Sequence, residues 1–412
     1  MKNFFLILFF QFIFASYAVC EIASRESVRA QTLQNNPSVA AARLKFENAH
    51  LAYNRAIGAY FPVVSLSGSS KQGETKGVYS RDHSFGLNAS LSVFSGLDTY
   101  NDVKIKSVEL ESARISYNRV ISDAVYETLV QYINLMWAYE TAELSEKIYE
   151  RRKENRDMIK LKYNSGNVDI GSLERVEADV EMAGYDLRKA KRYIETASAA
   201  LLKAMGRNDT AILKISEKLA LSEKEVEKPD FNELISELPE FLIVKNSADS
   251  AKFQVSKTKS LWFPDISISG GASRSGDEWF PDKRGWNAGI SVTYLLCNGG
   301  QRNADLQTSK NLSQIAEENL KDTANSLKAK AVANYNSLTD YYENVSVREH
   351  YLKASSLQAE ISAKKYINGL TTYQDWYLIE NDFINSQKSL LDAKKNAALE
   401  KAKWDNFLGK GL

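Results

Sequence analysis

The chain has 412 residues, with 53 Lys and Arg against 52 Asp and Glu, which gives a net charge of +1. This balance excludes a bulk electrostatic attraction to nucleic acid, and three scattered histidines offer no metal-ligand spacing. The sequence contains no nucleophile elbow and no phosphate-binding loop. We therefore predict a protein that is not an enzyme and that needs neither cofactor nor metal.

The N-terminus reads as a secretory signal over residues 1–18. Lys2 precedes the apolar run FFLILFFQFIF, and small residues place a cleavage site after Ala18. Lipidation at Cys20 stays open, because the preceding YAV lacks the small residue usually found before a lipidated cysteine. No later apolar run reaches ~18 residues, so the sequence predicts no transmembrane helix. An exported chain of this kind is periplasmic, secreted or inserted as a β-barrel.

The first half of the mature chain predicts a helix followed by two strands. Residues 24–58 carry helical apolar spacing, and Tyr60-Phe61-Pro62 then introduces a short strand, VVSLSGS. A polar loop, KQGETKGVYSRD, is predicted next. Residues 84–93 alternate apolar and polar side chains, which predicts a strand with one apolar and one polar face. Its length matches a tilted membrane-spanning strand of ~9–11 residues.

The second half repeats this order. Trp262-Phe263-Pro264 opens DISISGG, the loop SRSGDEWFPDKRG follows, and residues 286–296 alternate again. Neither Pro nor Gly interrupts residues 100–163 or 301–368. Each stretch predicts a helix of ~60 residues, about 90 Å long, with coiled-coil-like spacing. After a glycine turn, a second helix returns in each half.

The two halves are related by a duplication. KYNSG at 162–166 returns as KYING at 365–369, a spacing of 203 residues that several Gly pairs share. A unit of this size is too long for a solenoid repeat of roughly 20–50 residues. We therefore predict a first repeat at 24–206, a linker at 207–237 and a second repeat at 238–409.

Four alternating strands cannot close a barrel, and an open sheet in lipid would leave its edge groups unsatisfied. If the strands enter a membrane, several chains must share one barrel, and three chains would supply twelve strands. The polar faces would then line the lumen and the apolar faces would meet lipid.

The chain resembles the outer-membrane efflux protein family (TolC-like) over nearly its whole mature length. The matching features are the helix starts NPSV and LPEF, the aromatic-Pro strand entries, the strand ends VFSGLDTYN and LLCNGGQRNA, and the tip motifs KYNSGNVDIGSLERVEADV and KYINGLTTYQDWYLIENDF. The resemblance implies a mainly α chain with a membrane β-barrel. In it, a homotrimer forms a twelve-stranded outer-membrane barrel, four strands per chain, continuous with a periplasmic α-helical barrel.

The same resemblance implies the exit duct of a tripartite efflux pump or a type I secretion system. Its partners would be a periplasmic adaptor, an inner-membrane RND, ABC or MFS pump and outer-membrane lipid, with no nucleic acid. It would lie in the outer membrane and extend into the periplasm. The sequence identifies neither the cargo nor the pump.

Site residues follow from this resemblance. Adaptor docking is expected at the hairpin tips, namely Tyr163, Gly166, Val168, Tyr366, Gly369 and Leu370. The periplasmic entrance is expected at Ser172, Tyr366, Thr371 and Asp375. The lipid-facing strand residues are expected to be Phe85, Leu87, Leu91, Val93, Ile290 and Val292. The aromatic girdle is expected to comprise Tyr60, Phe61, Trp262 and Phe263.

The entrance departs from the family pattern. Some members hold it shut with a Tyr and an Arg on one hairpin bonded to an Asp on the other. The Tyr position matches Tyr366, but the Arg position is Thr371 and the Asp position is Ser172. At most a neutral Tyr366–Ser172 hydrogen bond is expected. Asp375 has two interpretations, a helix cap or a lumen-facing carboxylate that would form a ring of three in a trimer.

Two rival interpretations remain. The first is a soluble periplasmic coiled-coil scaffold whose strands form a small sheet, and uninterrupted apolar strand faces argue against it. The second is a periplasmic adaptor, which is built around one helical hairpin flanked by small β domains. The duplication over 203 residues argues against that architecture.

Overall fold

The computed structural model describes residues 22–75, 77–219 and 227–410, with only the backbone at 75 and 78. The predicted signal at 1–18 and Cys20 lie outside these residues. In chain order, the elements are β1 (Ile22–Ala23), α1 (Arg25–Asn35), α2 (Pro37–Gly58), β2 (Val63–Thr75), β3 (Val78–Ser95), α3 (Asp98–Asn164), α4 (Ile170–Ala204), β4 (Lys214–Ile215), α5 (Phe231–Glu237), α6 (Pro239–Lys259), β5 (Asp265–Gly276), β6 (Lys283–Thr293), α7 (Gln301–Ile367) and α8 (Tyr373–Phe407). Within the described ranges, none of the helices combines the length and the apolar character needed to cross a bilayer.

The N-terminal helix predicted over 24–58 is two helices. Pro37 has no amide hydrogen for the helical ladder, and Asn36 before it is extended at φ −71° and ψ 121°. The second repeat breaks at the same place, where Leu238 is extended before Pro239. A proline at the first helical position therefore starts α2 and α6 rather than continuing the helix before it.

Both predicted loops between the strands are much shorter than the sequence suggests. Thr75 pairs with Val78 in the β2–β3 hairpin, so nearly all of the polar stretch at 71–82 is strand. In the second hairpin, the strands reach Gly276 and resume at Lys283. A strand ladder is made by backbone groups, so polar side chains indicate an exposed strand rather than its end.

The four long strands form one antiparallel sheet in the order β2-β3-β5-β6. A bulge shifts the β3–β5 register between Ser92 and Phe94, and it sets Phe94 opposite Ile266. Val93 therefore falls outside the simple alternation predicted for this strand. The alternation predicted through Leu296 is also too long, because β6 ends at Thr293.

The predicted linker at 207–237 is not irregular throughout. Its β4 pairs in parallel with β1, with Lys214 opposite Ile22. It also contains α5, which begins after the Asp230 cap. Asp230 Oδ1 accepts a hydrogen bond of 2.8 Å from the amide of Asn232. Strands of two residues and helices of seven fall below the length at which sequence periodicity is readable.

The predicted long helices are confirmed. α3 and α7 each run for 67 residues, and α4 and α8 each run for 35. All four end at a glycine with positive φ, namely Gly166, Gly206, Gly369 and Gly409. At each end, two backbone hydrogen bonds close the last turn in the Schellman pattern. The duplication seen in the sequence is therefore a duplication of local backbone geometry.

The described chain divides into two compact units. The first unit takes its described residues from Met1–Asn36, Val125–Lys224 and Asp340–Ala402, and the second from Pro37–Ala124, Glu225–Thr339 and Lys403–Leu412. The second unit contains the four-stranded sheet. The main apolar core of the first unit includes Tyr132, Leu135, Leu201, Leu202 and Met205.

An ion pair between a buried carboxylate and a partly exposed guanidinium joins α3 to α8 in the first unit. The Glu380 side chain is 1% exposed, and both of its oxygens accept hydrogen bonds from the Arg151 guanidinium, the longer at 2.8 Å. Asn155 donates a third bond of 3.0 Å to the same carboxylate. The guanidinium also lies 4.8 Å from the ring centroid of Phe383. The hydrogen bond to Glu380 raises the pKa of Arg151, so the guanidinium stays charged.

Removing the charge from Glu380 should destabilise the first unit. Glu380→Gln removes the carboxylate that pairs with the Arg151 guanidinium, and we expect a loss of about 2 kcal/mol in the free energy of unfolding. The matched control is Glu111→Gln, which breaks an exposed pair with Arg114 and should cost less than about 1 kcal/mol. Urea unfolding followed by circular dichroism measures both. Equal effects of the two variants would contradict the assignment of Glu380 as a structural anchor.

Candidate functional site

The sheet of the second unit has two chemically different faces. Residues opposite one another across antiparallel strands share a face. The apolar face consists of the rows Leu66–Leu87–Ala272–Trp286, Val64–Ala89–Gly270–Ala288, Leu91–Ile268–Ile290 and Phe94–Ile266–Val292. The polar face includes the rows Ser65–Asn88–Gly271–Asn287, Ser67–Gly86–Ser273–Gly285 and Ser92–Ser267–Ser291. Val63, opposite Ser90, is an apolar residue within the polar face.

The residues predicted to face lipid are brought together with one exception. Leu87, Leu91, Ile290 and Val292 all lie in the apolar rows, and Phe85 lies one row further along the same face. Val93 has no opposite residue because of the bulge. Ile290 is 71% exposed, and much of the rest of this apolar face is exposed as well. A contiguous exposed apolar surface of this kind requires a nonaqueous or protein partner.

The residues predicted as an aromatic girdle lie just before β2 and β5. Tyr60, Phe61 and Phe263 are exposed, and Phe263 packs edge-on against Phe94 with ring centroids 6.4 Å apart. The Arg302 guanidinium lies 5.8 Å from the ring centroid of Trp262. It also donates hydrogen bonds to the carbonyls of Leu261 and Leu296, at 3.1 and 2.9 Å. Sequence reasoning missed Arg302. Its contacts join the start of α7 to the residues just before β5 and just after β6.

The two predicted hairpin tips are tight glycine turns in the first unit. Gly166 and Gly369 have φ of +77° and +73°, and a Cβ atom at either position would meet nothing within 4 Å. Only glycine adopts this conformation readily, which explains its presence in both repeats. Leu370, directly after the second glycine, is 73% exposed. The tips therefore present open backbone and several exposed apolar side chains to solvent, namely Leu161, Ile170, Ile367 and Leu370.

Tyr366 is not exposed at its tip. Its side chain is 4% exposed and stacks on Trp376, with ring centroids 5.0 Å apart and an interplanar angle of 11°. We name this group the tip cluster, which comprises Ile159, Leu173, Val176, Tyr366 and Trp376. The Tyr366 side chain, predicted to dock the adaptor, is therefore not accessible to a partner in this structure. Of the other predicted docking residues, Tyr163 is exposed and Val168 packs against the tip cluster.

The expected Tyr366–Ser172 hydrogen bond is not formed. The hydroxyl of Ser172 donates instead to Asp169 Oδ2 at 2.8 Å, and the Ser172 amide donates to Asp169 Oδ1 at 2.9 Å. Asp169 thereby caps α4, and these bonds from Ser172 lower the pKa of the Asp169 carboxyl. The Tyr366 hydroxyl is buried with no hydrogen-bond partner among the described residues. The Ser172 hydroxyl bonds to Asp169 rather than to Tyr366, because Asp169 is only three residues away in the chain.

Asp375 lies in the first turn of α8, and the cap of this helix is Thr372. Thr372 Oγ1 accepts a hydrogen bond from the Asp375 amide at 3.1 Å and donates one to Asp375 Oδ2 at 2.7 Å. The Asp375 carboxylate therefore positions the capping hydroxyl and is itself exposed. Thr371, four residues earlier in the chain, is half-buried.

Two basic residues of the first hairpin contact the second hairpin, and sequence reasoning did not identify either. Lys162 Nζ donates to the carbonyls of Tyr366 and Ile367, at 3.1 and 3.4 Å, at the C-terminal end of α7. Arg175 Nε donates to the hydroxyl of Tyr377 at 2.9 Å, and this bond raises the pKa of Arg175. We name these contacts the tip clasp. A positive charge at the carbonyl end of a helix is electrostatically favourable.

Tyr366 and Tyr373 have raised pKa values. Burial raises the pKa of Tyr366, and it raises the pKa of Tyr373 to about 12. The folded pKa values exceed the ordinary value of ~10, so the stability that these groups contribute is complete below pH ~10. It is lost only as the pH rises through the raised values.

Comparisons with known proteins agree with this geometry. The model of the outer membrane efflux protein family matches residues 28–207 and 232–410. A comparison with curated protein sequences gives no match. Among solved structures, CusC is similar at a TM-score of 0.83 with 17% identity, covering 93% of this chain and 91% of that one. The CmeC outer membrane channel of Campylobacter jejuni gives 0.80 with 18% identity, covering 94% and 86%.

The open state of the MtrE outer membrane channel of Neisseria gonorrhoeae gives a TM-score of 0.83 at 17% identity, covering 94% of this chain and 89% of that one. These likenesses extend over the whole described fold, and the family match covers both halves of the duplication. The chain therefore belongs to the outer membrane efflux protein family, and it is a transport protein of the outer membrane rather than an enzyme.

Proposed function

We propose that three copies of this chain assemble into a duct through which substrates leave the periplasm passively. The observation that carries this proposal is the two-faced sheet with two free edges. Among the described strands, β2 and β6 each have one hydrogen-bonded neighbour. Pairing β6 of one copy with β2 of the next would close three sheets of four strands into a twelve-stranded barrel.

The composition of the two faces supports a barrel in which the polar face lines the lumen and the apolar face meets lipid. The polar rows are made almost entirely of Ser, Asn and Gly, which are small enough to leave a lumen open. The apolar rows carry Leu, Ile, Phe and Trp, which suit hydrocarbon. Polar side chains also satisfy one another, as in the 2.9 Å contact between Ser69 and Ser84.

We further propose that the duct serves a tripartite efflux pump or a type I secretion system. An inner-membrane pump of the RND, ABC or MFS type and a periplasmic adaptor would complete either assembly. Co-purification of the adaptor, followed by export assays with a small drug and with a secreted protein, would distinguish the two systems. A soluble periplasmic scaffold has no use for the exposed apolar face of the sheet.

Substitutions on the two faces test the barrel. Ile290→Arg places a charge on the apolar face and should destabilise membrane assembly by roughly 2–4 kcal/mol near the midplane. Ser291→Arg is the matched control, because the neighbouring residue points to the polar face and should assemble close to the wild-type level. Outer-membrane fractionation and detergent-stable trimer yield measure both. Equal losses for the two variants, or recovery as a soluble periplasmic monomer, would refute the barrel.

The hairpin tips are proposed as the docking site of the adaptor. Leu370 is the most exposed apolar side chain of the predicted docking set, and the open turns at Gly166 and Gly369 allow close backbone approach. Hot spots of binding are typically apolar or aromatic residues that become desolvated.

A charge at the tip should therefore weaken docking without affecting assembly. We expect Leu370→Asp to form trimers normally but to reduce cross-linking to the adaptor at least tenfold, together with drug resistance. Lys160→Asp is a control on the exposed surface of the same unit. Full cross-linking by Leu370→Asp, or an equal loss in Lys160→Asp, would remove this assignment.

The entrance is proposed to close through the tip clasp instead of the family's carboxylate lock. Lys162 and Arg175 replace that lock with contacts to backbone carbonyls and a tyrosine hydroxyl. Asp375 accepts a hydrogen bond from the capping Thr372 and is exposed, and three copies would present three carboxylates at the entrance.

Loss of the clasp should open the duct. In planar bilayers, we expect Lys162→Ala combined with Arg175→Ala to raise the open population several-fold. Lys160→Ala removes a nearby exposed cation with no described contact across the hairpins and should leave conductance unchanged. A closed double variant with wild-type conductance would show that other contacts hold the entrance.

A further inference from the structure

The apolar face of the sheet ends in a row that contains two arginines. Beyond the row with Trp286 lies the row Gly68–Phe85–Arg274–Arg284, in which Arg274 and Arg284 are directly opposite each other. Both side chains are exposed. Like charges directly opposite on neighbouring strands repel each other, so the sheet gains nothing from this pair by itself.

Neither arginine has an acidic partner among the described residues. The nearest acidic side chains lie in the connection between β5 and β6, which contains Asp277, Glu278 and Asp282. Asp282 is two positions before Arg284, and its Oδ1 lies 3.7 Å from where a Cβ atom of Gly276 would be. It forms no ion pair with either arginine among the described residues. Arg81 lies on the same face as the pair, opposite Gln72. The face therefore changes from apolar to cationic within one row, with no compensating carboxylate in that row.

The distance of the arginine row from the start of β5 indicates where the row would lie in a membrane. Phe263 lies before β5, and Ala272 shares the row of Trp286, nine positions later. At ~3.4 Å per residue this distance is about 31 Å along the strand, and a tilt of 35–45° reduces it to roughly 22–25 Å. That is the height of the outward apolar band of an outer-membrane barrel, ~25 Å. The arginine row begins where such a band ends.

We propose that Arg274 and Arg284 bind the phosphate group of a lipid headgroup in the outer leaflet of the membrane. A guanidinium binds phosphate through two parallel N–H donors, and two guanidinium groups side by side can share one phosphate group. The bound anion would remove the repulsion between them. The Trp286 ring, 83% exposed in the adjacent row, would lie at the boundary of the acyl chains. This inference rests on the proposed barrel, which sets the apolar face toward lipid.

Native mass spectrometry of the detergent-solubilised trimer tests this site. The probes are a bis-phosphorylated lipid A, its dephosphorylated form with the same acyl chains, and inorganic phosphate. We expect the phosphorylated lipid to bind at least tenfold more tightly than the dephosphorylated one. Arg274→Gln combined with Arg284→Gln should reduce binding of the phosphorylated lipid at least tenfold, because charge-assisted hydrogen bonds are lost.

The opposite face provides the matched control. Lys71→Gln combined with Lys283→Gln removes two exposed cations from the polar face near the same end of the sheet, and binding should change less than twofold. Equal binding by the arginine variant and the wild type would overturn the proposal, as would an equal loss in the lysine variant. Inorganic phosphate that competes at the same concentration as the lipid would also overturn it.

The trimer is expected to survive the arginine substitutions, since they remove a repulsion from an exposed pair. The single variants Arg274→Gln and Arg284→Gln provide the same measurement if the double variant assembles poorly. Failure of the barrel itself is a separate outcome. It would appear as equal assembly of Ile290→Arg and Ser291→Arg, whereas failure of the lipid site leaves the trimer intact with unchanged lipid affinity.

Discussion

The pairing of β3 with β5 is the interaction on which the sheet depends. Each repeat contributes only a hairpin, and an isolated two-stranded hairpin is marginally stable in water. The register from His83 opposite Gly276 to Ser95 opposite Asp265 joins the two hairpins into one four-stranded sheet. It also aligns the two repeats so that apolar residues continue from one hairpin to the next. A slip of one residue would mix the faces and destroy both surfaces.

The same pairing leaves β2 and β6 as free edges, which natural sheets usually cover or charge. Here the edge strand β2 carries Leu66 and the edge strand β6 carries Trp286, and both side chains are exposed. Exposed apolar rows with unpaired backbone groups are costly in water and favourable in a closed barrel within lipid. The free edges, the exposed apolar rows and the arginine pair are thus three consequences of one sheet.

In the first unit, two kinds of contact hold the helical hairpins together. Apolar packing of Tyr366 on Trp376 and the pairing of Arg151 with the buried Glu380 carboxylate stabilise the hairpins. The contacts of Lys162 and Arg175 across the hairpins are more exposed and therefore weaker individually. Strong buried contacts beside weak exposed ones would let the proposed entrance open without unfolding.

The sequence alone determined the duplication, the long helices and the two-faced strands, because each is written in periodicity or in glycine and proline positions that act locally. Gly166 and Gly369 mark chain reversals in both sequence and structure.

Tertiary structure decided the rest. The extension of β2 through its polar residues depends on a partner ladder, and the bulge at Val93 depends on the register with β5. Tyr366 is buried because Trp376 returns to it through the next helix, and Ser172 is bound by Asp169 before any distant partner can reach it. The facing of Arg274 by Arg284 likewise arises only from strand register, which residue spacing cannot specify without knowledge of where each turn lies.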